Sequence, residues 1–158
     1  MKKMLAVLLA TVFMTVAAPC SASENLYYWT AQYNIEASVY DFPEFDAFIE
    51  LPRDEGIYFA CEYGSSTVSY FGASMKEIDM AFVLVPDPGE MGDALYQCLA
   101  ICDTMLETKP SDVAGWIMLS FKLAARDRTT YPYITEKGQA IMQRTKDGGV
   151  IFTCQVNN

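Results

Sequence analysis

The sequence predicts a mainly β domain, α+β by content: a small antiparallel β-barrel or curved sheet with one inserted helix, stabilised by disulfides. Three observations predict it. Several short segments alternate apolar and polar residues with period two, the mark of half-buried strands. One segment, residues 90–108, instead spaces Met91, Leu95, Cys98, Cys102 and Met105 four, three, four, three apart, as a helix face requires. Four cysteines, Cys61, Cys98, Cys102 and Cys154, follow an N-terminal segment that resembles a leader, and an even count in an exported chain suggests disulfides.

The leader comes first. Lys2 and Lys3 precede an uncharged apolar run from Met4 to Ala18, and small residues lead to the first acid, Glu24. This is the pattern of a signal peptide over residues 1–22, too short to span a bilayer comfortably. Residues 23–158 then form a single domain of about 135 residues, periplasmic or secreted. Cys20 offers a lipidation site and with it a membrane anchor. Pro19 beside it and the lack of a branched apolar residue three positions earlier make anchoring the lesser expectation.

Charge and composition narrow the function classes. The chain carries −9 overall; without Lys2 and Lys3, 9 basic residues face 20 acidic ones, a net charge of −11. Such a surface argues against nucleic acid and anionic membrane and suits a basic partner. There is no histidine, so Ser-His-Asp and Cys-His catalysis and His-ligated metal sites are out. Acid pairs such as Glu44/Asp46 and Asp54/Glu55 lie in turn-like contexts that favour solvation over glycosidase chemistry. No enzyme, metal or cofactor is expected.

In chain order, Tyr33, Ile35, Ala37 and Val39 alternate with polar neighbours, predicting a strand over 27–40. The aromatics Tyr27, Tyr28, Trp29 and Tyr33 there suit core packing, or else a partner surface. A strand is predicted from Phe45 to Leu51, a turn over 52–56, and strands over 57–63, 67–71 and 78–85, the last a central one. Pro86 to Gly89 opens the helix, and Lys109-Pro110 stops it. Residues 116–126 alternate at Leu119, Phe121, Leu123 and Ala125, which favours a strand, while Ser111-Asp112-Val113 would instead cap a second helix. The end is a hairpin: strand 140–145, a turn at Asp147-Gly148-Gly149, and a strand with Val150, Phe152, Cys154 and Val156 on one face.

Residues 47–63 echo 140–156 without gaps, sharing Ala, Asp, Gly, Phe and Cys in register. Both are strand–turn–strand units with a cysteine on the second strand.

Phe59-Ala60-Cys61-Glu62-Tyr63-Gly64 and Lys137-Gly138, followed by Asp147-Gly148 and Val150-Ile151-Phe152-Thr153-Cys154, resemble the C-type lysozyme inhibitors of bacterial envelopes, the MliC/PliC kind. The resemblance covers residues 57–85 and 123–156; 90–108 is a helical insertion and 24–55 an extension. It implies an eight-stranded barrel closed by a Cys61–Cys154 bridge. It also implies inhibition of a C-type lysozyme by Lys137 and Gly138, inserted into the enzyme's acidic cleft. The family's second loop, Ser-Gly-x-x-Tyr, falls on residues 123–127. Only Ala125-Arg126 fits a common filling of it, and its Ser, Gly and Tyr are absent. Glu136 stands where a threonine would precede the lysine, placed to pair with Lys137. With Cys61 and Cys154 joined, Cys98 and Cys102 are left to each other, badly spaced for a bond on a regular helix. Thiols or a helix-to-strand pairing are the alternatives. The other functional expectation is a periplasmic immunity or adaptor protein that binds a different basic partner.

Overall fold

The computed structural model describes residues 26–45, 49–53, 56–63, 65–74, 76–89 and 91–157, with backbone alone for 49–53 and 56–63. The segment expected to be a signal peptide and Cys20 lie outside these residues, as do 46–48 and 54–55. Seven strands form one antiparallel sheet and three helices lie among the described residues. Helix α1 (Leu26–Tyr40) comes first, then β1 (Ile49–Arg53), β2 (Gly56–Tyr63), β3 (Ser66–Ser74) and β4 (Glu77–Val85). Helices α2 (Ala94–Leu106) and α3 (Pro110–Ala125) follow, then β5 (Tyr133–Ile134), β6 (Gly138–Arg144) and β7 (Val150–Val156). The strand order is β1-β2-β3-β4-β7-β6-β5, so β4 is central and the sheet is open, not a closed barrel.

The closing hairpin stands as predicted. β6 pairs with β7 from Gly138↔Val156 to Arg144↔Val150, and Val150, Phe152, Cys154 and Val156 are all buried on one face. On that face they join Val68, Tyr70, Ala81, Val83, Val85, Ala140 and Met142 in the main core, which the helices cover. Phe82, Leu84 and Ile151 make a smaller cluster on the other face.

Two segments with strand-like alternation are helices. Along 26–40 the buried residues are Leu26, Trp29, Tyr33 and Ala37, spaced three, four, four, while Ile35 and Val39 face outward. The alternating residues that suggested a strand therefore split between core and solvent. Trp29 fixes the helix to the sheet by donating its indole N–H to the Ile78 carbonyl at 3.4 Å. In 110–125 the inward set is Val113, Ile117, Ser120, Phe121 and Ala124, again helical, and Leu119 is exposed. Pro110 does not only end a helix here. It sits in the first turn of α3, where its missing N–H costs nothing. α2 ends at Glu107, whose backbone is left-handed (φ 53°), with Thr108 N–H and Oγ1 both bonded to the Cys102 carbonyl.

The expected disulfide closure is absent. Cys98, Cys102 and Cys154 are free, buried thiols. Strand order explains why Cys61 cannot reach Cys154. Cys61 pairs with Val68, Val68 with Val83, and Val83 with Phe152, so β3 and β4 lie between. Three strand spacings put the Cys61 backbone about 14 Å from that of Phe152, against the roughly 4–7 Å a disulfide allows.

Candidate functional site

The turn between β5 and β6 presents Lys137. Thr135 organises it: its Oγ1 accepts the N–H groups of Lys137 at 3.1 Å and Gly138 at 3.2 Å, and its own N–H donates to the Gly138 carbonyl at 2.8 Å. From the chain end, Asn157 donates its N–H to the Lys137 carbonyl at 2.6 Å and its Nδ2 to the Glu136 carbonyl at 3.1 Å. The backbone under Lys137 is thus held on both sides. Gly138 is needed for packing: a Cβ there would stand 2.0 Å from the Gln155 carbonyl oxygen and 2.8 Å from the Val156 Cα. β7 leaves no room for a side chain.

The Lys137 ammonium does not pair with Glu136. It lies 2.9 Å from Glu107 Oε1, at the end of α2, with side chains 54% and 66% exposed. That hydrogen bond and charge raise the lysine pKa, and Glu136 and Tyr28 add lesser contributions. An ion pair so exposed is weak and screened by salt, so Lys137 stays free to exchange partners.

Ala125 and Arg126 do not join Lys137. Arg126 follows the last turn of α3, and the Ala125 carbonyl accepts a 2.9 Å bond from Arg144 at the far end of β6. Gly138 and Arg144 are the two ends of that strand, about 20 Å apart at strand rise. The structure thus separates the two loops that the resemblance puts in one site.

Of the four N-terminal aromatics, Trp29 and Tyr33 pack in the core, whereas Tyr27 and Tyr28 belong to the outer face of α1. Tyr27, Ala31, Ile35 and Val39 recur every four residues and point away from the core, with Tyr27 68%, Ile35 56% and Val39 67% exposed. Tyr28, also exposed, packs edge-on against Trp29 at the end of α1 within electrostatic reach of Lys137. At the other end Tyr96 of α2, half exposed, stacks on Tyr40 and Phe42. Acids border this face. Glu36 of α1 lies near Asp103 of α2, and burial first, then the Asp103 charge, raises its pKa. Asp41 and Glu44 are exposed beyond the helix end. A helical signal at spacing four was present in the sequence, but the competing alternation concealed it.

Inside the protein, the helix–sheet interface holds a gap of about 10 Å³ lined by Val83, Cys98, Ile117, Phe121, Met142 and Phe152 among other apolar groups. That is at the limit for one water and offers it no polar partner. Burial raises the Cys98 and Cys154 thiols and pushes Cys102 up to about 12, so none is a nucleophile in the folded protein. No group of three His, Cys, Asp or Glu suited to a metal occurs among the described residues, and none of their helices is long and apolar enough to cross a membrane. No protein-family model, curated protein or solved structure matches the chain.

Proposed function

We propose that this is an exported, non-enzymatic binding protein that docks a basic partner protein on the outer face of α1. The stripe Tyr27–Ala31–Ile35–Val39 carries the reading, because a helix that already buries its other side keeps three large apolar side chains in water. Contiguous exposed apolar surface bordered by polar groups is characteristic of interaction sites. The border here is acidic, and the whole chain is acidic, so a basic partner is steered towards it. Tyrosines at the ends give large contact area at low entropic cost.

The test is binding of the purified protein to a set of basic proteins, a C-type lysozyme among them, by interferometry at two salt concentrations. The expected result is salt-weakened binding to one of them that Ile35→Asp with Val39→Asp abolishes without lowering Tm. Binding that survives both substitutions, or none to any member, overturns the reading.

Lysozyme inhibition by Lys137 is the second reading. Its support is the presentation of that side chain on a turn held by Thr135 and Asn157. A lysozyme activity assay decides it: inhibition should be relieved by Lys137→Ala. Undiminished inhibition by that variant would leave the target and remove Lys137 from the mechanism.

A further inference from the structure

We infer that Cys102 on α2 and Cys154 on β7 are a disulfide pair, closed when the chain folds under oxidising conditions. Two contacts show how α2 lies along β7. Near its start, Ala94, Leu95 and Cys98 line the same gap as Val150 and Phe152. Past its end, Glu107 grips Lys137, whose carbonyl is bonded to Asn157, one residue beyond β7. Helix and strand therefore run side by side in the same direction. From Cys98 to Cys102 the helix climbs about 6 Å, and from Phe152 to Cys154 the strand advances about 6.6 Å. With Cys98 level with Phe152, Cys102 comes level with Cys154.

The sheet under α2 is built for close approach at that point. Cys154 is flanked by Ala81 on β4 and Ala140 on β6, and all three are fully buried. Small neighbours let the helix settle onto the cysteine. Burial raises the Cys154 thiol most, and Cys102 then contributes more than Cys98 does. Cys98 is the poorer candidate because its surroundings are the aliphatic gap.

The chemistry needs an external disulfide, such as oxidised glutathione or the active-site disulfide of an oxidoreductase. One cysteine thiolate attacks it, forms a mixed disulfide and expels one sulfur of the oxidant as thiolate. The second cysteine then displaces the other. The protein dithiol loses two electrons and two protons, and the oxidant leaves as two thiols. Both thiols are buried and protonated in the fold, so exchange belongs to the folding chain before α2 docks.

The experiment refolds the full chain in a mixture of reduced and oxidised glutathione, blocks free thiols under denaturing conditions, and maps peptides by mass without reduction. The expected product joins the Cys102 and Cys154 peptides and leaves Cys98 alkylated. Cys98→Ser should keep the link, and reduction should lower Tm by roughly 10 °C. Full alkylation of all cysteines, or a Cys154 peptide joined to Cys61 or Cys98, overturns the assignment. The mapping uses the native sequence, so a variant that fails to fold does not affect it.

Discussion

Glu107 holds the ammonium of Lys137 at 2.9 Å from a backbone with φ 53°, so one residue both ends α2 and tethers the β5–β6 turn. The two roles oppose each other energetically. A left-handed non-glycine residue costs about 1–2 kcal/mol, whereas an exposed ion pair returns about 0–1 kcal/mol. Glu107→Gly should therefore raise stability by about 0.5 kcal/mol in chemical denaturation, despite losing the pair. If Lys137 inhibits a lysozyme, the same variant should also inhibit more tightly, because the ammonium is released.

Gly138 supports Lys137 through its lack of a side chain. Gly138→Ala drives a methyl into the β7 backbone, and overpacking of this kind costs about 1–3 kcal/mol. We expect a loss of about 2 kcal/mol or more in urea denaturation. Because the turn would shift as well, Lys137→Ala is the cleaner probe of binding.

Ser66, at the start of β3, donates a buried 2.7 Å hydrogen bond to Gln97 Oε1 on α2. Gln97 is fully buried and its Nε2 has no hydrogen-bond partner among the described residues. Ser66→Ala strands the amide further and should cost about 1–3 kcal/mol. Adding Gln97→Leu removes the stranded group and should recover most of that loss. A double-mutant cycle measures the coupling, and additive effects would show that the bond contributes nothing.

The Glu36 carboxyl has its pKa raised by burial and by Asp103. The folded protein therefore binds this proton more tightly than the unfolded chain does. The resulting stability is complete below the ordinary carboxylate value of 4.5 and is lost as pH rises through the raised folded value. Tm of the native protein should fall across that window relative to Glu36→Gln, whose amide carries no charge. Parallel curves would show that the fold does not raise the Glu36 carboxyl.

Much of the fold could be read from local pattern. The closing hairpin and the helix bearing Cys98 and Cys102 each had a single period, the central strand 78–85 was an apolar run, and turn signals bounded them. Helices α1 and α3 had two periods at once. Tyr33, Ile35, Ala37 and Val39 alternate, yet Leu26, Trp29, Tyr33 and Ala37 lie on one helical face. Leu119, Phe121, Leu123 and Ala125 alternate, yet Val113, Ile117, Phe121 and Ala124 lie on one helical face. Apolar residues in excess of those one face needs satisfy both templates, and only the surface available for burial chooses.

The candidate site was less legible for the same reason. Lys137 and Gly138 could be located from sequence, because a Lys-Gly step before a strand is a local feature. Their neighbours could not. Glu107 and Asn157 reach the turn from two distant parts of the chain. Arg126, eleven positions before Lys137, ends up beside the opposite end of β6.

By itself, then, the sequence determined the acidic charge, the absence of histidine chemistry, the β-rich core and the inward face of β7. These depend on composition and on neighbours one or two residues apart. Tertiary structure decided that the sheet stays open, that Cys154 faces α2 and not Cys61, and that Ile35 and Val39 remain in water. Each of those depends on which elements lie side by side, and strand order and helix docking are set by burial summed over the whole chain.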